Sequence, residues 1–513
     1  MDDKAKSSAL AEDPVRKVGL IAGPLACVFL IAAFDLEPGH PEVTRTAGVA
    51  LLMAIWWITE AVPLAVTSLL PMALFPALGI MSGKTVAPIY FNHIIFLFLG
   101  GFITALAMQR WNLHKRIALR ILLLVGGKPR NILFGFMAVT AFLSMWISNT
   151  ATTMMMVPIA LAVIMEMETM LGREKVAGYS IGLLLGVAYS ASIGGLATLV
   201  GTPPNLSFAR IFNITFPDGP EISFSQWFIF AFPISAVFLV SLWIILSAVF
   251  IPKDGRIKLK GDIFKRQYSS LGPFSYEEKV VLSVFVSLAA LWLSRADITI
   301  GELTIPGWAR LFSNPSYLND GVVAVAMSII LFIAPAKHKS ARRIMDWETA
   351  SKLPWNIVLL FGGGFALASG FKTSGLSMWL GSRLEGVGAL HPILIVMAIC
   401  ILLTFLTELT SNTATAEMLL PVLAALAVAV KLNPLLLMIP GTLSCSCAFM
   451  LPVATPPNAI VFGAERLKIS DMARVGLLLN LFGVVMITAG IYILGKAVFG
   501  IDISHMPDWA SNG

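Results

Sequence analysis

Two near-identical polar segments interrupt apolar runs of this sequence, SNTATTMMMVP at 148–158 and SNTATAEMLLP at 411–421. The offset that superposes Ser148 on Ser411 and Pro158 on Pro421 is 263 residues, and it also lays NHIIFLFLGGF (92–102) on WNIVLLFGGGF (355–365). A further pair, VGTPPN (200–205) and VATPPN (453–458), follows in the same order at an offset of 253. Matching order and near-constant spacing mark an internal duplication. The chain must therefore fold as two related halves, each with polar breaks inside apolar surroundings.

The surroundings decide the solvent. Of 513 residues, 57% are hydrophobic and only 13% charged, too little polar surface to cover a soluble domain. Runs such as VGLIAGPLACVFLIAAF from Val18 and WFIFAFPISAVFLVSLWIILSAVFI from Trp227 are long enough to cross about 30 Å of hydrocarbon as helices. Period-two alternation, the mark of a membrane barrel, is absent. No small-residue cleavage site follows the first apolar run, so 18–34 reads as a retained span. The net charge of +7 comes from Lys and Arg in connecting loops, which is the footprint of membrane orientation and gives no reason to expect nucleic acid as a partner. Cys27, Cys400, Cys445 and Cys447 lie in apolar segments and read as small packing residues. The six histidines are scattered with no metal-binding spacing, and no cofactor is expected.

The expected fold is an all-α polytopic membrane protein with about 11 transmembrane helices, near 18–35, 47–62, 64–80, 93–110, 178–210, 227–251, 277–295, 319–336, 354–371, 433–463 and 475–498. With the N-terminus cytoplasmic, the basic stretches at 110–120, 126–131, 252–267 and 336–343 share one side, as the positive-inside rule asks. Two apolar segments remain, 132–166 and 389–430, each with one SNT copy near its middle. Their length suits two half-length helices, so both are expected to be re-entrant hairpins with the motif at the tip. The spans 93–110 and 354–371 then run in opposite directions. This makes the duplication inverted, the plan by which many secondary transporters place a site near the membrane midplane. The organisation expected is a cytoplasmic tail (1–17), a first half (18–251), a cytoplasmic linker (252–276), a second half (277–500) and an external C-terminal tail (501–513). Membrane lipid is the surrounding partner.

Unpaired backbone groups in hydrocarbon cost several kcal/mol each, so these breaks need something to satisfy them. Pro-Pro in each TPPN block cannot continue a helix, so each block should unwind the chain and start a new helix. Four breaks, two at hairpin tips and two in unwound helices, then converge on one pocket: helix N-termini for a carboxylate or sulfate, released carbonyls for Na+. Ser144 before Ser148, and Thr407 before Ser411, each add a hydroxyl one turn earlier on the same face.

At these residues the sequence resembles the divalent anion/sodium symporter family, carriers of succinate, malate, fumarate, citrate or sulfate. The SNT and TPPN pairs with WWITEAVPLAVTSLLP (56–71) carry the resemblance, which covers about residues 45–498. It implies homodimers with a scaffold and a mobile transport region that moves substrate by an elevator-type displacement. It further implies one Na+ site at Ser144, Ser148, Asn149 and Gly201, and a second at Thr407, Ser411, Asn412 and Ala454. Substrate carboxylates are expected to meet Asn149, Thr150, Thr202 and Pro203 from one half, with Asn412, Thr413, Thr455 and Pro456 from the other. The second copy has Ala454 in place of Gly201, which leaves the carbonyl available.

A divalent anion in mid-membrane needs positive compensation, and neither SNT nor TPPN block contains Lys, Arg or His, so cations must supply it. Two Na+ balance two carboxylates; a third would add about 2.3 kcal/mol of drive per 100 mV. The expected function is import of a C4-dicarboxylate with Na+ as the coupling ion, the alternatives being a sodium-independent exchanger or a sodium-coupled citrate or sulfate carrier. No nucleophile, base or metal cluster accompanies the pocket residues, so the chain is not expected to be an enzyme. A bacterial inner membrane is the expected location. Three acids lie in or beside the spans: Glu60 is expected to cap or pair at an interface, Glu408 lies near Ser411, and Glu417 has Met154 as its counterpart, which excludes a symmetric role. Packing or a salt link is the expected role of Glu417.

Overall fold

The computed structural model describes residues 14–251, 262–300, 303–338, 341–503 and 505–510. Residues 1–13 of the expected tail, 252–261 of the linker, and 504 and 511–513 of the C-terminal tail lie outside the described residues. Proline and side-chain caps set where the helices begin. α1 (Pro14–Ala33) and α2 (Pro41–Thr59) form an antiparallel pair. The next apolar segment is interrupted, as Leu64–Thr67 and Leu70–Ala77, because Ser68 turns its hydroxyl back onto the Leu64 carbonyl and Pro71 supplies no N–H. Asn92 caps α3 (His93–Arg110) by accepting from the Ile94 amide at 3.0 Å.

α4 (Leu113–Val125) is amphipathic and lies along α5 (Pro129–Ser144). α6 (Asn149–Leu171), α7 (Arg173–Leu196) and α8 (Pro203–Thr215) follow, then α9 (Phe224–Phe250), opened by a Ser223/Gln226 capping box. α10 (Tyr276–Ser294) begins with the same device, Ser275 and Glu278. A two-stranded antiparallel ribbon, β1 (Ile298–Ile300) with β2 (Leu303–Ile305), pairs Ile298 with Ile305. The second half continues with α11 (Asp320–Ile333), α12 (Trp355–Ser374), α13 (Leu376–Leu384), α14 (Pro392–Leu406), α15 (Asn412–Ala429), α16 (Pro434–Ser444), α17 (Pro456–Phe462) and α18 (Ile469–Phe499).

The helices sort into two groups. α3 packs on α11 and α10, and α12 packs on α2 and the interrupted 64–77 segment. The others, α5 to α9 and α14 to α18, pack around α7 and α16, whose side chains are buried almost throughout, and α8 and α15 also pack against α12 of the first group. Close crossings use glycine. A Cβ on Gly100 of α3 would stand 2.5 Å from Ala324 of α11, and Gly182 and Gly186 of the GLLLG stretch lie against Phe250 and Leu133, a local packing use.

Both SNT copies stand at a break between two helices, α5 giving way to α6 at 145–148 and α14 to α15 at 407–411. Their arms are longer than the half-length helices the sequence implied: α5 and α6 have 16 and 23 residues, α14 and α15 have 15 and 18. Eight helices among the described residues are long and apolar enough to cross a membrane, or nine if the pair bent by 119° before and after His391 is one span. The expected crossings at 64–80, 319–336 and 433–463 are shorter or broken, because Ser68, Ala334 before Pro335, and the 445–455 break end those helices early. Glu60 ion-pairs with Arg16 at 2.9 Å, pairing being one of the two roles expected of it. All four cysteines are buried and free.

Candidate substrate and cation site

Helix is interrupted between α5 and α6 at 145–148 and between α7 and α8 at 197–202. These two breaks are stitched together. Thr198 donates its hydroxyl to the Met145 carbonyl at 2.5 Å, and Ser144 donates to Asn149 Oδ1 at 2.5 Å. A Cβ built on Gly195 would lie 2.8 Å from Asn149 Oδ1 and 3.0 Å from the Gly201 carbonyl, and one on Gly201 would lie 2.5 Å from the Gly195 carbonyl and 3.0 Å from Thr198 Oγ1. Two glycines thus leave room for five oxygens, from Ser144, Thr198, Asn149, Gly195 and Gly201, to crowd one spot. Ser148 caps α6 instead, accepting from the Ala151 amide at 3.3 Å.

The second half repeats the construction. Thr407 donates to Asn412 Oδ1 at 2.7 Å and lies 2.9 Å from the Cys445 carbonyl. α16 ends at Ser444 and the chain stays non-helical until Thr455, which caps α17 by accepting from the Asn458 amide. Ser411 is the N-cap residue of α15 without a side-chain cap bond, and the Ala454 side chain points to no polar partner.

Asn205 and Asn458, the last residues of the two TPPN blocks, were quoted in the motif but given no role. Each staples its break. Asn205 Nδ2 lies 2.7 Å from the Thr198 carbonyl and 3.2 Å from that of Gly195; Asn458 Nδ2 lies 3.1 and 3.0 Å from the Ala448 and Leu451 carbonyls. The acceptors correspond at the 253 offset, Gly195 with Ala448 and Thr198 with Leu451. Both Oδ1 atoms are buried without a donor, so oxygens outnumber N–H and O–H groups at each break, the imbalance a bound cation corrects. Asn205→Ala or Asn458→Ala should cost about 1–3 kcal/mol by freeing buried carbonyls, read as a lowered thermal midpoint in detergent; an unchanged midpoint in both would refute the stapling role.

Glu408, one turn before Ser411, has the largest structural task here. It is buried, and Oε1 accepts from the Phe449 and Met450 amides at 2.7 and 2.8 Å and from Asn480 Nδ2 at 2.7 Å, while Oε2 accepts from the Leu451 amide at 3.1 Å. Its repeat counterpart is Met145, whose carbonyl receives Thr198, the counterpart of Leu451. The same joint is closed in both halves with the side chain supplied from opposite ends.

The halves then interlock. α6, which carries the first SNT, packs against α17 of the second TPPN, and α8 of the first TPPN packs against α15 of the second SNT. Each SNT helix is thereby seated on the opposite copy's TPPN helix. Asn149, Thr150, Pro203, Ser411 and Asn412 are half-buried, Pro456 is exposed, and Thr202, Thr413 and Thr455 are buried. Each copy has an N-terminus with free amides, which favours an anion beside the oxygen-rich cradles.

Comparison with known proteins bears on this arrangement. The profile of the family described as "Sodium:sulfate symporter transmembrane region" matches residues 18–501. The sodium-dependent dicarboxylate transporter SdcS of Staphylococcus saprophyticus is 44% identical over 494 residues, covering 95% of this chain and 93% of the relative. SdcS of Staphylococcus aureus is 45% identical over 499 residues with the same coverage. Among solved structures, MtrF of Neisseria gonorrhoeae aligns at a TM-score of 0.54 and 15% identity, covering 92% of this chain and 98% of that one. The YdaH transporter of Alcanivorax borkumensis aligns at 0.55 and 14%, covering 88% and 99%. At such low identity the two structures speak to fold alone.

Proposed function

The chain belongs to the sodium:sulfate symporter family, and on that footing we propose that it imports a C4-dicarboxylate such as succinate, malate or fumarate in symport with Na+. The duplicated oxygen-rich cradles are the observation that carries the reading. Each is formed by a hairpin tip, Ser144/Asn149 or Thr407/Asn412, closed on the unwound helix of its own half. No Lys, Arg or His stands in the SNT or TPPN blocks to neutralise two carboxylates, so Na+ does. The names of the SdcS relatives agree in both ion and substrate class.

The first Na+ is held by Ser144, Asn149 and the Gly201 carbonyl, with Ser148 shaping the turn, and the second by Thr407, Asn412, Ser411 and the Ala454 carbonyl. Asn149, Thr150, Thr202 and Pro203 meet one end of the substrate, and Asn412, Thr413, Thr455 and Pro456 meet the other. Cation binding precedes or accompanies the anion because each Asn serves both. The two helix groups act as scaffold and transport parts of an elevator, in a homodimer with the N-terminus cytoplasmic and the C-terminus external, in a bacterial plasma membrane. The domain limits stay at 1–17, 18–251, 252–276, 277–500 and 501–513. The work is transport without covalent catalysis.

Uptake of radiolabelled succinate into proteoliposomes tests this. An inward Na+ gradient should raise the initial rate at least about tenfold, one tenfold step being about 1.4 kcal/mol of coupling, and unlabelled fumarate or malate should compete better than citrate or sulfate. Uptake indifferent to Na+ but dependent on internal dicarboxylate would make the chain an exchanger and remove both Na+ sites.

A further inference from the structure

Glu417 carries a carboxyl that neither the cradles nor the substrate residues use. It lies on α15 past the SNT tip and is fully buried. Oε1 is 2.5 Å from Ser207 Oγ on α8. Oε2 rests on the bare backbone of α12 at Gly364, where a Cβ would overlap it, and has no hydrogen-bond partner. Among the described residues Glu417 makes no salt link, one of the two roles expected of it. Charged groups on the elements packed around α15 are engaged elsewhere. Arg210 of α8 donates to Asn213, Lys372 of α12 to the Ile214 and Thr215 carbonyls, and Arg45 of α2 to the Leu78 carbonyl. Glu42 of α2 pairs with His40, Arg383 of α13 lies over the Trp379 ring, and Glu385 makes no ion pair with Glu417 among the described residues. α16 has no charged residue.

Counting protons decides the state of this group. Ser207 has one hydroxyl hydrogen and two acceptors in reach, Glu417 Oε1 and the Pro203 carbonyl at 3.3 Å. With Glu417 ionised, a single shared hydrogen would serve both, and a full charge would stand in a dry interior with no counter-ion. A proton on the carboxyl removes both faults: Oε1–H donates to Ser207 Oγ, and Ser207 donates to the Pro203 carbonyl. We propose that Glu417 is a proton-binding site, linked through Ser207 to Pro203 of the first TPPN block and filled whenever α15 lies against Gly364 of α12.

Resting on the transport reading, the site gives the cycle a proton-sensitive step. When α15 leaves α12, Oε2 meets water, the O–H bond breaks, the proton passes to the adjoining aqueous phase and the carboxylate remains. Repacking takes a proton back. The packed arrangement is thus favoured at low pH and loses up to about tenfold in population per pH unit as pH rises.

Infrared difference spectra of the purified, full-length protein near neutral pH provide the test. A protonated-carboxyl C=O band should be present, vanish in Glu417→Gln and shift in Ser207→Ala. In proteoliposomes with an inward Na+ gradient, wild-type succinate uptake should change with pH while Glu417→Gln stays flat to within about twofold. A spectrum identical in wild type and Glu417→Gln overturns the proposal, as does an unchanged pH profile. Should Glu417→Gln fail to fold, the Ser207→Ala shift decides, and its absence counts against the site. Absence of any Na+-driven uptake would refute the transport reading while leaving the infrared result to stand for the proton site.

Discussion

Glu408→Ala is expected to produce protein that cannot be recovered folded from detergent, or that melts about 5–10 °C below wild type. The Glu408 carboxyl accepts from three successive backbone amides of the second unwound helix, and its loss strands the Phe449, Met450 and Leu451 amides together with Asn480 Nδ2. Each buried donor left without an acceptor costs about 1–3 kcal/mol, and a few such groups approach the 5–15 kcal/mol that holds a domain together. With the unfolding entropy scaled to 513 residues, one kcal/mol moves the midpoint by about 1 °C. Glu408→Gln should fall between, because its oxygen keeps one set of donors while its NH2 turns against the other. A wild-type midpoint for Glu408→Ala, followed by tryptophan fluorescence or light scattering, would show that the 449–451 amides find other partners and that the joint is not held by this residue.

The second large effect is expected at the paired asparagines. Asn149→Ala removes the oxygen that Ser144 reaches at 2.5 Å, and Asn412→Ala the one that Thr407 reaches at 2.7 Å. A polar contact to a charged species is worth about 1.5–3 kcal/mol, and each 1.4 kcal/mol is tenfold. Either variant should raise the Na+ concentration for half-maximal succinate uptake by about 10- to 100-fold. Because each residue is also assigned to the anion, the apparent succinate affinity should fall in parallel. Ser144→Ala and Thr407→Ala, which touch the cation side alone, should shift Na+ dependence more than succinate dependence at saturating Na+. Equal Na+ curves for wild type and Asn149→Ala would place the cation elsewhere.

Much of this was legible in the sequence because the chemistry of a broken membrane helix leaves marks in residue type. Two SNT copies at one offset and two TPPN copies at another coincide with the four helix breaks, and Ser144 and Thr407 stand at the ends of the helices that lead into the SNT copies. The length of the arms was not legible. A run of Met, Val, Ile and Leu from 153 onward continues α6 to Leu171, and hydropathy does not say where a re-entrant arm stops. Nor was the partner of Glu408, since the amides it meets are about forty residues away and carry no side-chain signature. Comparison of the copies held a clue: a carboxylate standing where its twin has Met145 needs donors that the twin does not. Asn205 and Asn458 were visible as identical residues at equivalent positions, yet their amides serve the backbone, a use that a search for ligand-binding groups passes over.

The cross-packing of α6 on α17 and α8 on α15 has a consequence for how such a chain can change over generations. In most duplicated proteins one copy is free to drift while the other preserves the original task. Here each SNT helix is seated on the opposite copy's TPPN helix, so a substitution in the first half is tolerated or rejected by residues in the second. The two copies are bound into a single unit of inheritance, and specificity for a new anion has to be acquired by both together.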